Sequence, residues 1–383
     1  MTRTASFVAL VLSVPMSMAA LALASPAGAQ PPGQNAPTVR PAIDGILSAF
    51  EQHPLVGIGD IHNMAQQEDF FVTLIRDPRF AKEVGNVVVE FGTATHQDTL
   101  DRYINGGAVS FAELRSVWGD VVGATPTVTG LGYANFFVQV RTVNLSLPPE
   151  QRIRVWLGEP LIDWASVRTQ EDIRGAMEQR DSYPAALIKR EILAKGRKAV
   201  VIYGNVHFGM PGIPAELGPV SFLRDIVEQE YPGAFFVVMT YWGFVQKDCS
   251  AAFERTHQDW PIPALACPLR GTTIEGALRT TGCAVSPPLE VSFTLPNKTD
   301  AELAELRTRV ALAQQEMSSG VNRDAMLYLG PVGMLTRTPQ EPSIYMDAAY
   351  RAEINRRHQI RGLPPLPDAI PFDNIASPRS MRP

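Results

Sequence analysis

The chain reads as an α/β protein, a mostly parallel central sheet flanked by helices, with an irregular cysteine-bearing insertion and a helical C-terminal part. Three observations predict this. Short apolar runs alternate with helical patterns from residue 42 to 246, as strand–helix–strand units do. The runs are continuously apolar, which marks strands buried on both faces. Polar residues gather just after those runs, where open α/β sheets keep their ligand crevice.

From the N-terminus, residues 1–29 hold Arg3, an apolar run from Phe7 to Leu23 and Ala27-Gly28-Ala29; this pattern predicts a cleaved export signal. Ser13, Pro15 and Ser17 interrupt the run and leave it short of the ~20 apolar residues of a membrane span, so no stable anchor is expected. Residues 30–41 read as a disordered Pro-rich lead. The core domain, 42–246, is predicted to place strands at 55–59, 86–92, 152–159, 198–204 and 233–242. Helices are predicted between them at 65–84 with a break at Pro78, and at 95–106, 132–145, 182–196 and 221–231. Residues 247–298 lack periodicity and read as an irregular insertion or flap. The region 299–362 completes the core with a long helix over 300–320, a last strand over 324–331 and a helix over 346–362. Residues 363–383 form a Pro-rich tail.

Composition narrows the function classes. The formal net charge of −5 becomes −6 once the signal's single Arg is removed, so no basic footprint for nucleic acid exists. With 45% hydrophobic and 19% charged residues the chain is an ordinary globular protein, and the ~350 residues after the signal can bury a large core. An exported protein, periplasmic or secreted, can oxidise one pair among Cys249, Cys267 and Cys283. The spacing does not say which pair. No Gly-x-Ser-x-Gly elbow, Walker loop or Gly-x-Gly-x-x-Gly turn comes after a predicted strand, which argues against a serine hydrolase or a nucleotide site.

The chemistry-bearing residues sit at the C-terminal ends of the strands. Asp60 and His62 come after the first, Glu90 closes the second, Glu159 and Asp163 come after the third, and Asn205 and His207 after the fourth. "GDIH" (59–62) and "GNVH" (204–207) share one spelling, Gly-x-x-His after an apolar strand, in which glycine allows a sharp turn or a close approach. Glu90, inside "VVVEFG", is a carboxylate at the end of a buried strand and requires a His, an Arg or a metal as partner. His62, His207, Glu90 and Asp60 are the catalytic candidates, with Asn205, Asp163 and Glu159 as substrate contacts. Two chemistries stay open. Asp60, His62, Glu90 and His207 could ligate a divalent metal such as Zn, Mn or Co, or one His could act as a general base without metal. His96, beside Thr95, reads as a helix cap, and His53, His257 and His358 read as surface residues.

The "GDIH" turn, the Glu of "VVVEFG" and the late "VVIYGNVHFG" resemble the superfamily that contains erythromycin esterases, Tiki proteases and ChaN haem-binding proteins. The resemblance covers about residues 50–245. It implies that His62 and His207 are paired active-site imidazoles around Glu90, with Asp60 standing where many members have Glu. It implies either hydrolysis of an ester, lactone or amide bond in a small-molecule or peptide substrate, or haem or iron binding through His62 or His207. A non-catalytic scaffold is the third expectation.

Overall fold

The computed structural model describes residues 35–123, 129–212, 221–280, 282–285, 299–318, 320 and 322–368. The expected signal, the first part of the lead, part of the insertion and most of the tail lie outside the described residues. Eight strands form one sheet: β1 (Thr38–Pro41), β2 (Leu55–Asp60), β3 (Asn86–Thr93), β4 (Arg154–Glu159), β5 (Ala199–Gly204), β6 (Phe235–Thr240), β7 (Ala264–Cys267) and β8 (Ala325–Tyr328). Their order is β1-β7-β8-β6-β2-β5-β3-β4. The pairs from β8 to β4 are parallel, and only β1 with β7 and β7 with β8 run antiparallel. All six predicted strands are present, and the mostly parallel sheet is built from them.

Burial on both faces explains why the strands are continuously apolar. In β3, Val87, Val89 and Phe91 pack with Phe70, Leu100, Tyr133 and Phe137 from one helical layer. Val88 points the other way, onto Ala185, Ile188 and Leu223 of the helices Ser182–Glu191 and Leu223–Glu228. The predicted break at Pro78 separates the helices Ala65–Arg76 and Pro78–Glu83; Asp77 caps the second, accepting from Arg79 N–H at 2.9 Å. Among the described residues no helix is long and apolar enough to cross a membrane.

Three expectations are corrected. Thr38–Pro41, read as part of a disordered lead, is the edge strand β1, paired with β7; Pro41 is tolerated there because an edge strand needs fewer ladder donors. The stretch from 247 is not irregular throughout: it contains the helices Lys247–Thr256 and Thr273–Leu278 and the strand β7. The four residues of β7 lie between Pro263 and Pro268, and those prolines hide the run. Cys249 and Cys283 form the disulfide and Cys267 keeps its thiol. His358, expected at the surface, is buried and donates from Nδ1 to the Pro364 carbonyl at 2.7 Å.

Candidate functional site

The first wall is the end of β2. Asp60 is the strand's last residue and is 4% exposed. His62 Nδ1–H donates to Asp60 Oδ2 at 2.9 Å, and the Tyr133 hydroxyl donates to the same oxygen at 2.6 Å. The turn itself is made by Asn63, whose φ of 65° is left-handed, a region that asparagine tolerates better than most residues. Gly59 therefore does not supply the turn. It is glycine because a Cβ there would lie 1.8 Å from Asn205 Oδ1.

Glu90 forms the floor, and a break in the ladder puts it there. Val89 pairs with Leu157 and Thr93 with Glu159, with a register shift between them, and the β3–β5 ladder ends at Val89–Ile202. Three residues thus face one across the shift, a bulge that re-aims Glu90 out of the sheet. Its Oε2 accepts from the Gly204 N–H at 2.7 Å, and its Oε1 accepts from Arg180 Nη2.

The second wall is the 3-10 turn Asn205–Phe208 after β5. His207 Nδ1–H donates to Asp181 Oδ1 at 2.7 Å, and Asp181 also accepts from Leu223 N–H at 2.7 Å. His207 Nε2 lies 3.5 Å from Glu90 Oε1, and His62 Nε2 lies 3.9 Å from Glu90 Oε2. A Cβ on Gly204 would stand 3.4 Å from both Glu90 Oε2 and His62 Nε2, and 3.7 Å from His207 Cδ2. The three side chains therefore surround one point, and Gly204 leaves it open.

Charge dominates this cluster. Burial disfavours an imidazolium at His62, but the Glu90 and Asp60 carboxylates outweigh it and raise the pKa to about 9. His207 is likewise raised to about 9 against burial, by Glu90 and Asp181. Burial also opposes the charge of Glu90, yet His207, His62 and Arg180 hold its carboxyl well below the usual range. Burial raises Glu159, although Arg180 Nε donates to its Oε1 at 2.8 Å and pulls the other way. His62 keeps 23% of its side chain exposed, against 5% for His207 and 2% for Glu90, so His62 is the imidazole that solvent reaches.

The predicted substrate contacts do not gather at this point. Glu159 is 1% exposed and holds Arg180, a buried electrostatic role. Asn205 lies with its amide over Gly59, and its carbonyl accepts from Arg323 Nη2 at 2.8 Å. Asp163 is exposed, accepts from Ala165 N–H at 3.0 Å, and lines a separate cleft of about 750 Å³ with His96, Asp120 and Trp164. His96 makes no capping bond; its Nε2 meets Asp120 Oδ2 at 2.7 Å.

Asp60, His62, Glu90 and His207, the expected metal set, come together in one cluster. Among the described residues no group of three or more His, Cys, Asp and Glu side chains is arranged to hold a metal ion. Arg180 and Gly204 N–H occupy the Glu90 oxygens, while the aspartates hold both Nδ1 atoms and leave each Nε2 free. A guanidinium bound to the central carboxylate also repels a cation.

Sequence reasoning missed four residues. Tyr133 sits among Phe136 and Phe137 in an apolar helix and reads as core. Arg180 and Asp181 lie in a polar turn between two helices and read as surface. Glu68 opens a helix as first-turn acids do, yet it is 4% exposed, and burial pushes its pKa up to about 8.

No protein-family model matches the chain, and no curated protein does. Among solved structures, the type III effector HopBA1 is 16% identical, with a TM-score of 0.34 over 54% of this chain and 88% of that one. A Bacillus cereus protein is 11% identical, with a TM-score of 0.42 over 77% of this chain and 98% of its own. A succinoglycan biosynthesis protein is 11% identical, with a TM-score of 0.36 over 55% and 73%. Likeness at this level assigns no activity, and the functional reading rests on the site itself.

Proposed function

We propose that the protein hydrolyses an ester, lactone or amide bond by acid–base chemistry between two Asp–His dyads. One observation carries this: His62 and His207 bring their Nε2 atoms to the same carboxylate, Glu90, while an aspartate holds each Nδ1. A base held by an orienting carboxylate, next to a second charged donor, is what acyl transfer to water needs.

His62 is the base, because its Nε2 faces the opening left at Gly204 and its ring is partly exposed. In its neutral form, which the Glu90 and Asp60 carboxylates keep the minor one until the pH approaches about 9, it takes a proton from water as the water oxygen bonds to the substrate carbonyl carbon, and the carbonyl π pair moves onto oxygen. The His207 imidazolium, anchored by Asp181, faces that developing charge. The tetrahedral adduct then collapses, and His62 returns its proton to the departing alkoxide or amine. The resemblance of "GDIH", "VVVEFG" and "VVIYGNVHFG" to the erythromycin esterase, Tiki and ChaN group supports the same reading. Export to the periplasm or outside the cell belongs to the proposal, and the Cys249–Cys283 disulfide supports it.

The test is a panel of aryl esters, lactones and short peptides, assayed with chelator and with added Zn, Mn or Co, on the wild type and His62→Ala. Hydrolysis lost by about 10²–10⁴-fold in His62→Ala is expected. No turnover by the wild type, or turnover undiminished in His62→Ala, overturns the proposal. A Soret band on hemin titration that depends on His62 or His207 would favour the binding-protein alternative.

A further inference from the structure

The hydrolytic reading leaves one arrangement unexplained. The hydroxyl of Tyr133 is buried against the same Asp60 oxygen that holds His62. Tyr133 is the third residue of the helix Leu131–Leu145 and is fully buried. Its ring stacks on Phe91 with centroids 4.4 Å apart, and its oxygen is 3.3 Å from His62 Nδ1. Phenylalanine would fill that space equally well, so packing does not account for the hydroxyl.

Three backbone hydrogen bonds tie down the start of the Tyr133 helix and its surroundings. Leu131 N–H donates to the Pro339 carbonyl at 3.0 Å, Thr338 N–H to the Asn63 carbonyl at 2.9 Å, and Ala65 N–H to the Thr336 carbonyl at 3.0 Å. The segment 336–339 thus ties the start of the Tyr133 helix to the turn just after His62. A Cβ on Gly132 would lie 1.9 Å from Glu68 Oε2, which shows how closely the two helix starts meet.

We propose that Tyr133 is a positioning residue that sets how tightly His62 holds its proton, acting through Asp60. The hydroxyl draws charge from Oδ2, so Asp60 pulls less strongly on the imidazolium than an unshared carboxylate would. It also fixes the carboxylate plane, and with it the direction of Nε2 toward Glu90. The other groups facing His62 are Glu90 from β3, Arg180 from the turn before the helix Ser182–Glu191, and Glu68 from the helix Ala65–Arg76. Tyr133→Phe leaves all of them in place.

This inference rests on the proposed role of His62, but its test reads the ring directly. Isotope-labelled protein is titrated by NMR for Tyr133→Phe, Asp60→Asn and the double variant, alongside pH–rate profiles. In Tyr133→Phe the His62 pKa is expected to rise by about 0.5–1. Hydrolysis at neutral pH should then fall about 3–10-fold and recover in alkali, with KM unchanged. In the Asp60→Asn background the tyrosine change should move nothing, as a route through Asp60 demands. If Tyr133→Phe does not fold, a ring-fluorinated tyrosine at 133, a stronger donor, should lower the pKa instead. An unchanged His62 pKa, or the same shift without Asp60, overturns the inference. If the shift appears and no substrate is hydrolysed, the positioning role stands and the hydrolase reading falls.

Discussion

The two Gly-x-x-His turns have the same spelling and are built differently. In "GDIH" the aspartate holding the ring is two residues away and buried, the histidine is partly exposed, and the glycine makes room for Asn205. In "GNVH" the aspartate comes from another element 26 residues away, the histidine is buried, and the glycine opens the point where His62, Glu90 and His207 meet. One turn presents a base to solvent and the other sets a fixed charge behind it. The shared motif therefore specifies the position of an imidazole and leaves its role to the neighbours.

The change expected to have the largest effect removes what the two turns share. Glu90→Gln leaves Arg180 with Glu159 as its one remaining carboxylate, strips the two imidazoles of their shared partner and puts an amide N–H against a donor, so unfolding free energy should drop by about 3–5 kcal/mol and hydrolysis should vanish. Denaturant titration and the substrate panel measure both. Equal stability to wild type would mean that Glu90 is not the shared partner.

Replacing the histidines singly sharpens the asymmetry. Both His62→Ala and His207→Ala should cost about 10²–10⁴-fold in turnover, but His207→Ala should destabilise more. It leaves a cavity and strips Asp181 of a buried donor. Equal thermal shifts for the two variants would erase the distinction between an open and a buried wall.

The glycines give a finer test. At Gly204 φ is −51°, which any residue adopts, so Gly204→Ala should fold with stability within about 1 kcal/mol of wild type. Its methyl fills the point between the rings, and turnover should fall at least tenfold. Gly59→Ala meets Asn205 at 1.8 Å and should lose stability first. Melting curves paired with rates separate the two; a Gly204→Ala enzyme of normal activity would place the reaction elsewhere.

The mildest effect is on stability against pH. His62 and His207 are raised from 6.5 to about 9, so their contribution is complete below about pH 6.5 and is lost as pH rises through about 9. Glu68, raised from 4.5 to about 8, lowers stability over the range between those values as the unfolded chain releases its proton first. Glu90 is depressed below 4.5, so its contribution holds above that pH and is lost in acid. Stability measured by urea unfolding should therefore peak at about pH 5–6. A maximum at pH 8 or above contradicts these assignments.

Sequence made the sheet legible where burial on both faces forces continuous apolar runs, as in β3 and β5. It hid β1 and β7, because four residues flanked by proline have no period. His62, Glu90 and His207 were legible because each interrupts or ends such a run. Tyr133, Arg180 and Asp181 were not, because an aromatic in an apolar helix and charges in a polar turn are what packing and solvation already require. The partners of Glu90 come from residues 62, 180, 204 and 207, a set that only the folded sheet assembles.

The central claim is that two Asp–His pairs meet on one buried carboxylate, and histidine NMR titration tests it most directly. With assignments from His62→Ala and His207→Ala, two of the six rings should titrate near 9. Both should fall together toward the ordinary value in Glu90→Gln. Two rings that titrate between about 6 and 7 and ignore Glu90→Gln would contradict the account.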